Sequence, residues 1–371
     1  MTRQVRSVMV VAVLVVLGLG LAACGGDESG DGPPGGPDSA GSAGSAGTVR
    51  LLTHDSFDLS PDVLTAFEAT TGYSVEIIAG GDAVSVVNQA ILSAGNPVAD
   101  VLFGVDNNTL AAAAEAGLFE PYASGELEQL DPDLVASVDG LVTPVSVGDV
   151  CVNYDRDWFG ASDLEPPGSL LDLADPSYQG LLVVQNPATS TPGLAFVAAT
   201  VAAFGESGWE AYWEQLVVND VEVADGWEQA YYGEFSGGSG EGDRPLVVSY
   251  ATSPVAEVFF SDGFAAGELP DEAPTGVVAG TCYRQVEYAG VLAGTDQPEA
   301  AQALIDFMVS PLVQEDIPLT MFVEPVRMGV ALPEVFVAFS EPTGTVWGLS
   351  PTQVEQGRDG WVASWRRIVL G

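Results

Sequence analysis

The sequence predicts an α/β protein of two lobes around a cleft, each lobe a mixed or parallel sheet with flanking helices. Three observations predict it. Strand and helix patterns alternate three times at short spacing between residues 49 and 116, as in parallel sheets. A second alternating unit covers about 155–265. A third stretch, from about 277, reads as further β and helix that returns toward the first unit.

The elements follow in order. Residues 49–53 read as a strand, followed by the polar loop His54-Asp-Ser-Phe57. A helix is expected over 60–70, with Ser60-Pro61 as cap and first turn and Val63, Leu64, Ala66 and Phe67 on its apolar side. A strand over 73–79 leads through Gly80-Gly-Asp82 into a helix over 83–94. A third strand over 100–104 precedes a helix over 107–116. Ligands on such sheets sit at strand carboxyl ends, beside helix N-termini, so loops 53–57, 80–85 and 104–108 are the first places to look. Residues 145–154 are one long extended stretch, suited to crossing between lobes. The second unit has strands at 180–185, 221–224 and 246–250 and helices at 191–204, 207–216 and 227–235, with a Gly-rich loop at 236–242. After β structure over 277–293 come helices at 297–309 and, C-terminally, 351–369. The expected domains are 49–150 for the first part of lobe 1, 151–270 for lobe 2, and 271–371 for the return to lobe 1 and the C-terminal helices.

The first 48 residues are of another kind. Arg3 and Arg6 precede an apolar run over 8–20, which ends in Leu21-Ala-Ala-Cys24-Gly25. The run is short for a membrane span and fits a secretory signal over 1–23. Leu-Ala-Ala-Cys resembles a bacterial lipobox, which implies a diacylated Cys24 at the mature N-terminus; two acyl chains suffice to hold a domain at a membrane. Residues 24–48 then form a Gly/Ser/Pro-rich tether. These features place the folded part on the extracytoplasmic face of the cell membrane.

Composition excludes several functions. The chain of 371 residues carries 52 acidic side chains against 10 basic ones, a net charge of -42. The basic residues are all Arg. Loss of the signal leaves 8 Arg and a charge of -44. No basic surface for nucleic acid can be assembled. The acidity is either a salt-adapted surface or a bias toward cationic ligands. His54 is the only His, which excludes a His-based metal cluster. No G-x-S-x-G elbow occurs, so nothing marks a nucleophile for His54 to serve. The expectation is therefore a non-enzyme without a cofactor or resident metal. Cys151 and Cys282 lie in apolar β-like stretches and are either a disulfide or two buried thiols.

The segments Thr53-His-Asp-Ser-Phe57, Gly104-Val-Asp-Asn-Asn108, Asn186-Pro-Ala-Thr-Ser-Thr-Pro-Gly193, Gly226-Trp-Glu-Gln-Ala230, Ser249-Tyr-Ala-Thr-Ser-Pro254 and Phe307-Met-Val-Ser-Pro311 are each weak signals. In this order and spacing they resemble the thiamine and thiamine-phosphate binding proteins of ABC importers, over roughly 49–368. The resemblance implies a type II periplasmic-binding-protein-like clam-shell, ligand capture in the interlobe cleft, delivery to ABC permease subunits, and a monomer by default. Ser190, Thr191 and Gly193, at the start of a helix, offer hydroxyls and backbone N–H groups for a ligand tail, and the resemblance points to Ser190 for that role, although the same residues also read as a helix cap. Trp227 and Tyr250 match positions for aromatic contact with the ligand, Trp227 having a core role as the alternative; Ser253 follows Tyr250 at the same rim. Asp82 matches a family acid. Asp55 and Asp106 are either helix caps or cleft acids.

The chain departs from the family at His54, where relatives commonly carry Tyr, and at Phe322, in a segment where relatives carry Trp. Tyr283 and Arg284 lie on the returning strand, where one of them is expected to face the cleft. So acidic a chain is expected to prefer cationic thiamine over its diphosphate. The alternatives are another cationic or phosphorylated solute, such as a polyamine or phosphonate, or ferric iron held by Tyr231 and Tyr232.

Overall fold

The computed structural model describes residues 47–371 apart from 136, 137 and 139. The signal, Cys24 and most of the tether lie outside the described residues.

Strands β1 (Gly47–Thr53), β2 (Tyr73–Ala79) and β3 (Val101–Asp106) alternate with helices α1 (Pro61–Thr71), α2 (Ala83–Leu92) and α3 (Leu110–Glu115). β1 pairs in parallel with both β2 and β3. α3 begins later than its sequence suggests, because residues 106–109 are drawn into a hydrogen-bonded cap: Asp106 N–H donates to Thr109 Oγ1 at 2.9 Å, and that hydroxyl donates back to Asp106 Oδ1 at 2.7 Å. Short elements β4 (Phe119–Glu120) and α4 (Pro132–Val135) lead to β5 (Thr143–Asp155).

The second lobe follows with α5 (Arg156–Ala161), β6 (Leu182–Gln185), α6 (Thr191–Phe204), α7 (Trp209–Val218), β7 (Glu222–Ala224), β8 (Leu246–Tyr250), α8 (Ser253–Phe259), α9 (Asp262–Ala265) and β9 (Thr275–Val277). The helix expected over 227–235 is a π-helix across Gln229–Glu234. The chain closes with β10 (Cys282–Leu292), α10 (Pro298–Met308), α11 (Pro311–Thr320), β11 (Glu324–Pro325), α12 (Glu334–Phe339), β12 (Val346–Trp347) and α13 (Pro351–Val369).

The principal strands run in the order β2-β1-β3-β10-β5-β8-β6-β7. The long strands β5 and β10 are its centre. They pair antiparallel from Tyr283↔Val150 to Ala289↔Thr143. β10 joins β3 on one side, and β5 joins β8 on the other. Both strands are thus shared by the two lobes, and the boundary expected at 150/151 falls inside β5. Nearly continuous burial along both explains their apolar composition.

Each lobe has its own core. The first contains Phe67, Leu102, Phe103 and, from α10, Leu304, Ile305 and Met308. The second contains Phe196, Trp213 and Leu246. The C-terminal helix belongs to this second core rather than to the returning first lobe: Trp365 meets Trp213 edge-on at 5.6 Å, and Trp361 Nε1 donates to Glu206. α12 likewise packs in a cluster with Val255 and Val258 of α8. The return to lobe 1 is therefore confined to the stretch from β10 through β11.

Cys151 and Cys282 lie opposite one another on β5 and β10, with Cα atoms 4.1 Å apart, joined in a disulfide. Among the described residues no helix is long and apolar enough to cross a membrane.

Candidate functional site

A cavity of about 410 Å3 opens between the lobes. Lobe 1 lines it with His54, Asp55, Ser56, Asp82, Ala83 and residues 320–323. Lobe 2 contributes Thr191, Pro192, Trp227, Glu228, Tyr231, Tyr232, Tyr250, Ser253, Glu257 and Phe260. The crossing strand β10 adds Glu287. The loops after β1 and β2 meet the starts of α6 and α8, as the strand-end rule requires.

Asp82 caps α2 through Ala83 N–H at 2.7 Å. It also reaches across the cleft, accepting from Thr191 N–H at 3.2 Å and Trp227 N–H at 2.9 Å. Ser85 N–H donates across the same gap to the Thr189 carbonyl at 3.0 Å. Burial drives the Asp82 pKa up; the Trp227 N–H, Ser190 and His54 oppose this, and the net shift is upward.

His54 is held from two sides. Its ring packs against Phe103, centroids 5.5 Å apart, and Nε2 lies 3.4 Å from Glu287 Oε1. Gly104 leaves room for it: a Cβ there would come within 2.9 Å of His54 Cδ2, and its φ of +103° also favours glycine. Burial alone would lower the His54 pKa, but Glu287, with help from Asp82 and Asp55, raises it overall. Glu287 accepts in turn from Ser146 Oγ at 2.8 Å.

The aromatic wall is built on lobe 2. Trp227 stacks on Tyr231, centroids 5.1 Å apart and planes 20° from parallel, and meets Tyr232 edge-on. Its Nε1 donates to Ser249 Oγ at 2.9 Å, which shares a hydrogen bond with Ser253 Oγ at 2.7 Å. Tyr250 donates from its hydroxyl to Gln285 Oε1 at 3.1 Å. Its ring lies over Gly148, where a Cβ would be 2.9 Å from Tyr250 Cδ1, so this mid-strand glycine serves close packing. At the mouth, Phe322 meets Phe260 at 5.4 Å, and its carbonyl accepts from Thr252 Oγ1 across the lobes. Its φ of 54° is unusual for a non-glycine residue.

Of the residues singled out from the sequence, the cavity brings together His54, Asp55, Asp82, Thr191, Trp227, Tyr250, Ser253 and Phe322. Others stand behind its wall. Ser190 is fully buried beneath Thr191, near Asp82. Gly193 serves packing, since a Cβ there would lie 2.4 Å from the Gln185 carbonyl, and α6 sits tightly on the end of β6. Tyr283 is buried in the second core and donates to Asn108 Oδ1 at 2.9 Å. Arg284 turns away to Asp149. Asp106 is wholly buried, accepting from the Asn108 backbone and side chain and from Thr109.

Burial pushes the Asp106 carboxyl up to about 6, against the Thr109 and Asn108 donors, with the Glu287 charge adding to the rise. A raised carboxyl favours the protonated fold. Its contribution is full below the ordinary value of 3.8 and is lost as pH rises through about 6. Carbon-13 NMR should show this carboxyl titrating near pH 6, and Asp106→Asn should make the fall in unfolding free energy over that window smaller by this one group's share.

Sequence reasoning missed Glu287, Glu228 and Glu257. The one signal for Glu287 was a lone acid within the apolar run of β10. Burial raises the pKa of Glu228 and of Glu257. Tyr231 and Tyr232 both line the cavity. Burial holds the Tyr231 phenol well above its usual pKa, which opposes the phenolate form a ferric ligand needs.

Comparison with known proteins agrees with this architecture. The family model for bacterial extracellular solute-binding proteins matches residues 96–342. A thiamine-binding periplasmic protein of Escherichia coli (strain K12) is 33% identical over 327 residues, 85% of this chain and 92% of its own. One from Brucella suis biovar 1 is 28% identical, covering 86% and 91%. A solved periplasmic thiamin binding protein superposes with a TM-score of 0.73 at 30% identity, over 87% of this chain and 96% of that one. With its two-lobed fold and interlobe cavity, the chain belongs to the bacterial extracellular solute-binding protein family.

Proposed function

We propose that the protein captures thiamine or a thiamine phosphate outside the cytoplasm and delivers it to the permease of an ABC importer, breaking no bond. One observation carries this reading: the cavity joins an aromatic wall to five carboxylates, Asp55, Asp82, Glu228, Glu257 and Glu287, with no Arg among its described lining residues and no Lys in the chain. Such a site suits a flat aromatic cation, which gains from ring faces and from negative charge together. The names of the related proteins support the same choice.

In this reading Trp227 and Tyr250 contact the ligand rings, and Phe322 covers the cleft mouth. Asp55 and Glu228 balance the thiazolium charge. The Thr191 and Ser253 hydroxyls serve the polar ends. Residues 49–150 and the return through β11 act as one lobe, and the rest as the other, with β5 and β10 as the hinge. Ligand drives closure by binding the closed state better than the open one. Cys24 holds the mature protein, as a monomer, to the membrane by its lipid.

Titration calorimetry tests the reading. The expected result is one thiamine per chain with a Kd of about 1 μM or tighter, near -8.2 kcal/mol. No binding at millimolar thiamine would refute it.

A further inference from the structure

His54 is the chain's only His and the one basic side chain among the described residues that line the cavity. It comes from the loop after β1 and meets the crossing strand β10, with Nε2 3.4 Å from Glu287 Oε1. At that distance the contact is one of charge rather than a tight hydrogen bond. The other carboxylate oxygen, Oε2, accepts from Ser146 Oγ of β5 at 2.8 Å. The His54 and Glu287 side chains are only 13% and 10% exposed, so solvent screens their charges little.

The surroundings of the imidazole are acidic. Asp82 at the start of α2 and Asp55 of the same loop both favour its charged form. Glu228 of lobe 2 feels its charge in turn. Asp106 at the end of β3 and Tyr250 at the end of β8 lie close enough to Glu287 for that charge to raise both of their pKa values. From β3 itself the ring meets apolar Phe103. Burial pulls the imidazole toward its neutral form, but Glu287, then Asp82 and Asp55, bring the balance above the usual 6.5. A cation entering this cavity works the other way. It repels the imidazolium and draws on the same carboxylates. With no Arg among the described lining residues, His54 is the one group there that can shed positive charge.

We propose that the cleft exchanges a proton for its ligand: when a cationic ligand binds, His54 releases one imidazolium proton to solvent, and Glu287 passes from countering His54 to countering the ligand. The charge balances, since one positive charge enters with the ligand and one leaves as the proton. Glu287 thereby joins Asp55 and Glu228 as a countercharge. This rests on the reading of the cleft as a thiamine site. The bound state holds fewer protons than the free one, so affinity rises with pH through the His54 titration and is level once His54 is neutral in both states.

The test uses the full mature protein with thiamine. A single His gives a single imidazole C–H signal, so proton NMR follows His54 without ambiguity. Saturating thiamine should lower its titration midpoint by about 1 in pH, and Kd should tighten about tenfold between about pH 6 and about pH 8. Calorimetry near neutral pH in two buffers of widely different ionisation enthalpy should report release of about 0.5 proton or more per thiamine. His54→Gln keeps an amide facing Glu287 and should bind thiamine with neither the proton release nor the pH dependence. Thiamine binding that leaves the His54 midpoint unmoved and gives the same heat in both buffers would overturn the exchange while the thiamine reading stands. Proton release that persists in His54→Gln would overturn it too. Should that variant fail to fold, the wild-type midpoint decides alone. No binding of thiamine by the wild type would overturn the thiamine reading, and this proposal with it.

Discussion

Replacing Trp227 with alanine should weaken thiamine binding about 100-fold, a loss of about 3 kcal/mol. The ring is braced by Tyr231 on one side and tied through Nε1 to Ser249, so it presents a fixed aromatic surface to the cavity. A cation over such a face gains roughly 0.5–2 kcal/mol. Ring stacking adds about 0.5–1.5 kcal/mol, and the apolar area lost on truncation adds to both. Trp227→Phe keeps an aromatic face and should lose no more than about tenfold. Calorimetry measures both variants, and thermal melting separates the alternative. Were Trp227 only a core residue, alanine would lower the melting temperature and leave affinity almost unchanged.

The second large effect is on stability. Cys151→Ala combined with Cys282→Ala should cost about 2–5 kcal/mol of unfolding free energy, read from the midpoint of guanidinium denaturation. The paired cysteines are 131 residues apart. On the chain-entropy account, a loop of that length removes much freedom from the unfolded state, equivalent to about 5 kcal/mol. The native sheet should survive the change, because the β5–β10 backbone ladder extends well beyond the cysteines. Reduction of the wild type should reproduce the same loss. An unchanged midpoint in both experiments would mean that the link contributes nothing.

Much of the scaffold was legible because its elements carry local punctuation. α6 is read from Thr191-Pro192 and ends before Gly205, and the structure gives it as Thr191–Phe204. α13 starts after Ser350 with a full capping box that includes Gln353. α11 escaped notice because Pro318 interrupts its pattern, although Ser310-Pro311 is a fair helix start. α8 escaped because Ser253-Pro254 reads as the end of a strand motif as readily as the start of a helix.

The site was legible in its loops and much less so on its crossing strand. His54, Asp55, Asp82, Trp227 and Tyr250 sit at element ends, where strand-end geometry points to a cleft. Residues of β10 meet different surroundings along its length. Tyr283 enters the second core, Gln285 accepts from Tyr250, and Glu287 reaches the cavity. Local pattern cannot distinguish these fates, because they depend on where the strand passes from one lobe to the other. That is why Tyr283 was expected at the cleft and Glu287 was not.

The decisive measurement is a crystal structure of the protein grown with thiamine. Pyrimidine and thiazolium density is expected in the interlobe cavity, with an aromatic ring of the ligand against Trp227 and carboxylates of Asp55, Asp82 or Glu228 within reach of its polar groups. A metal ion bound by Tyr231 and Tyr232, or thiamine found only outside the cavity, would contradict it.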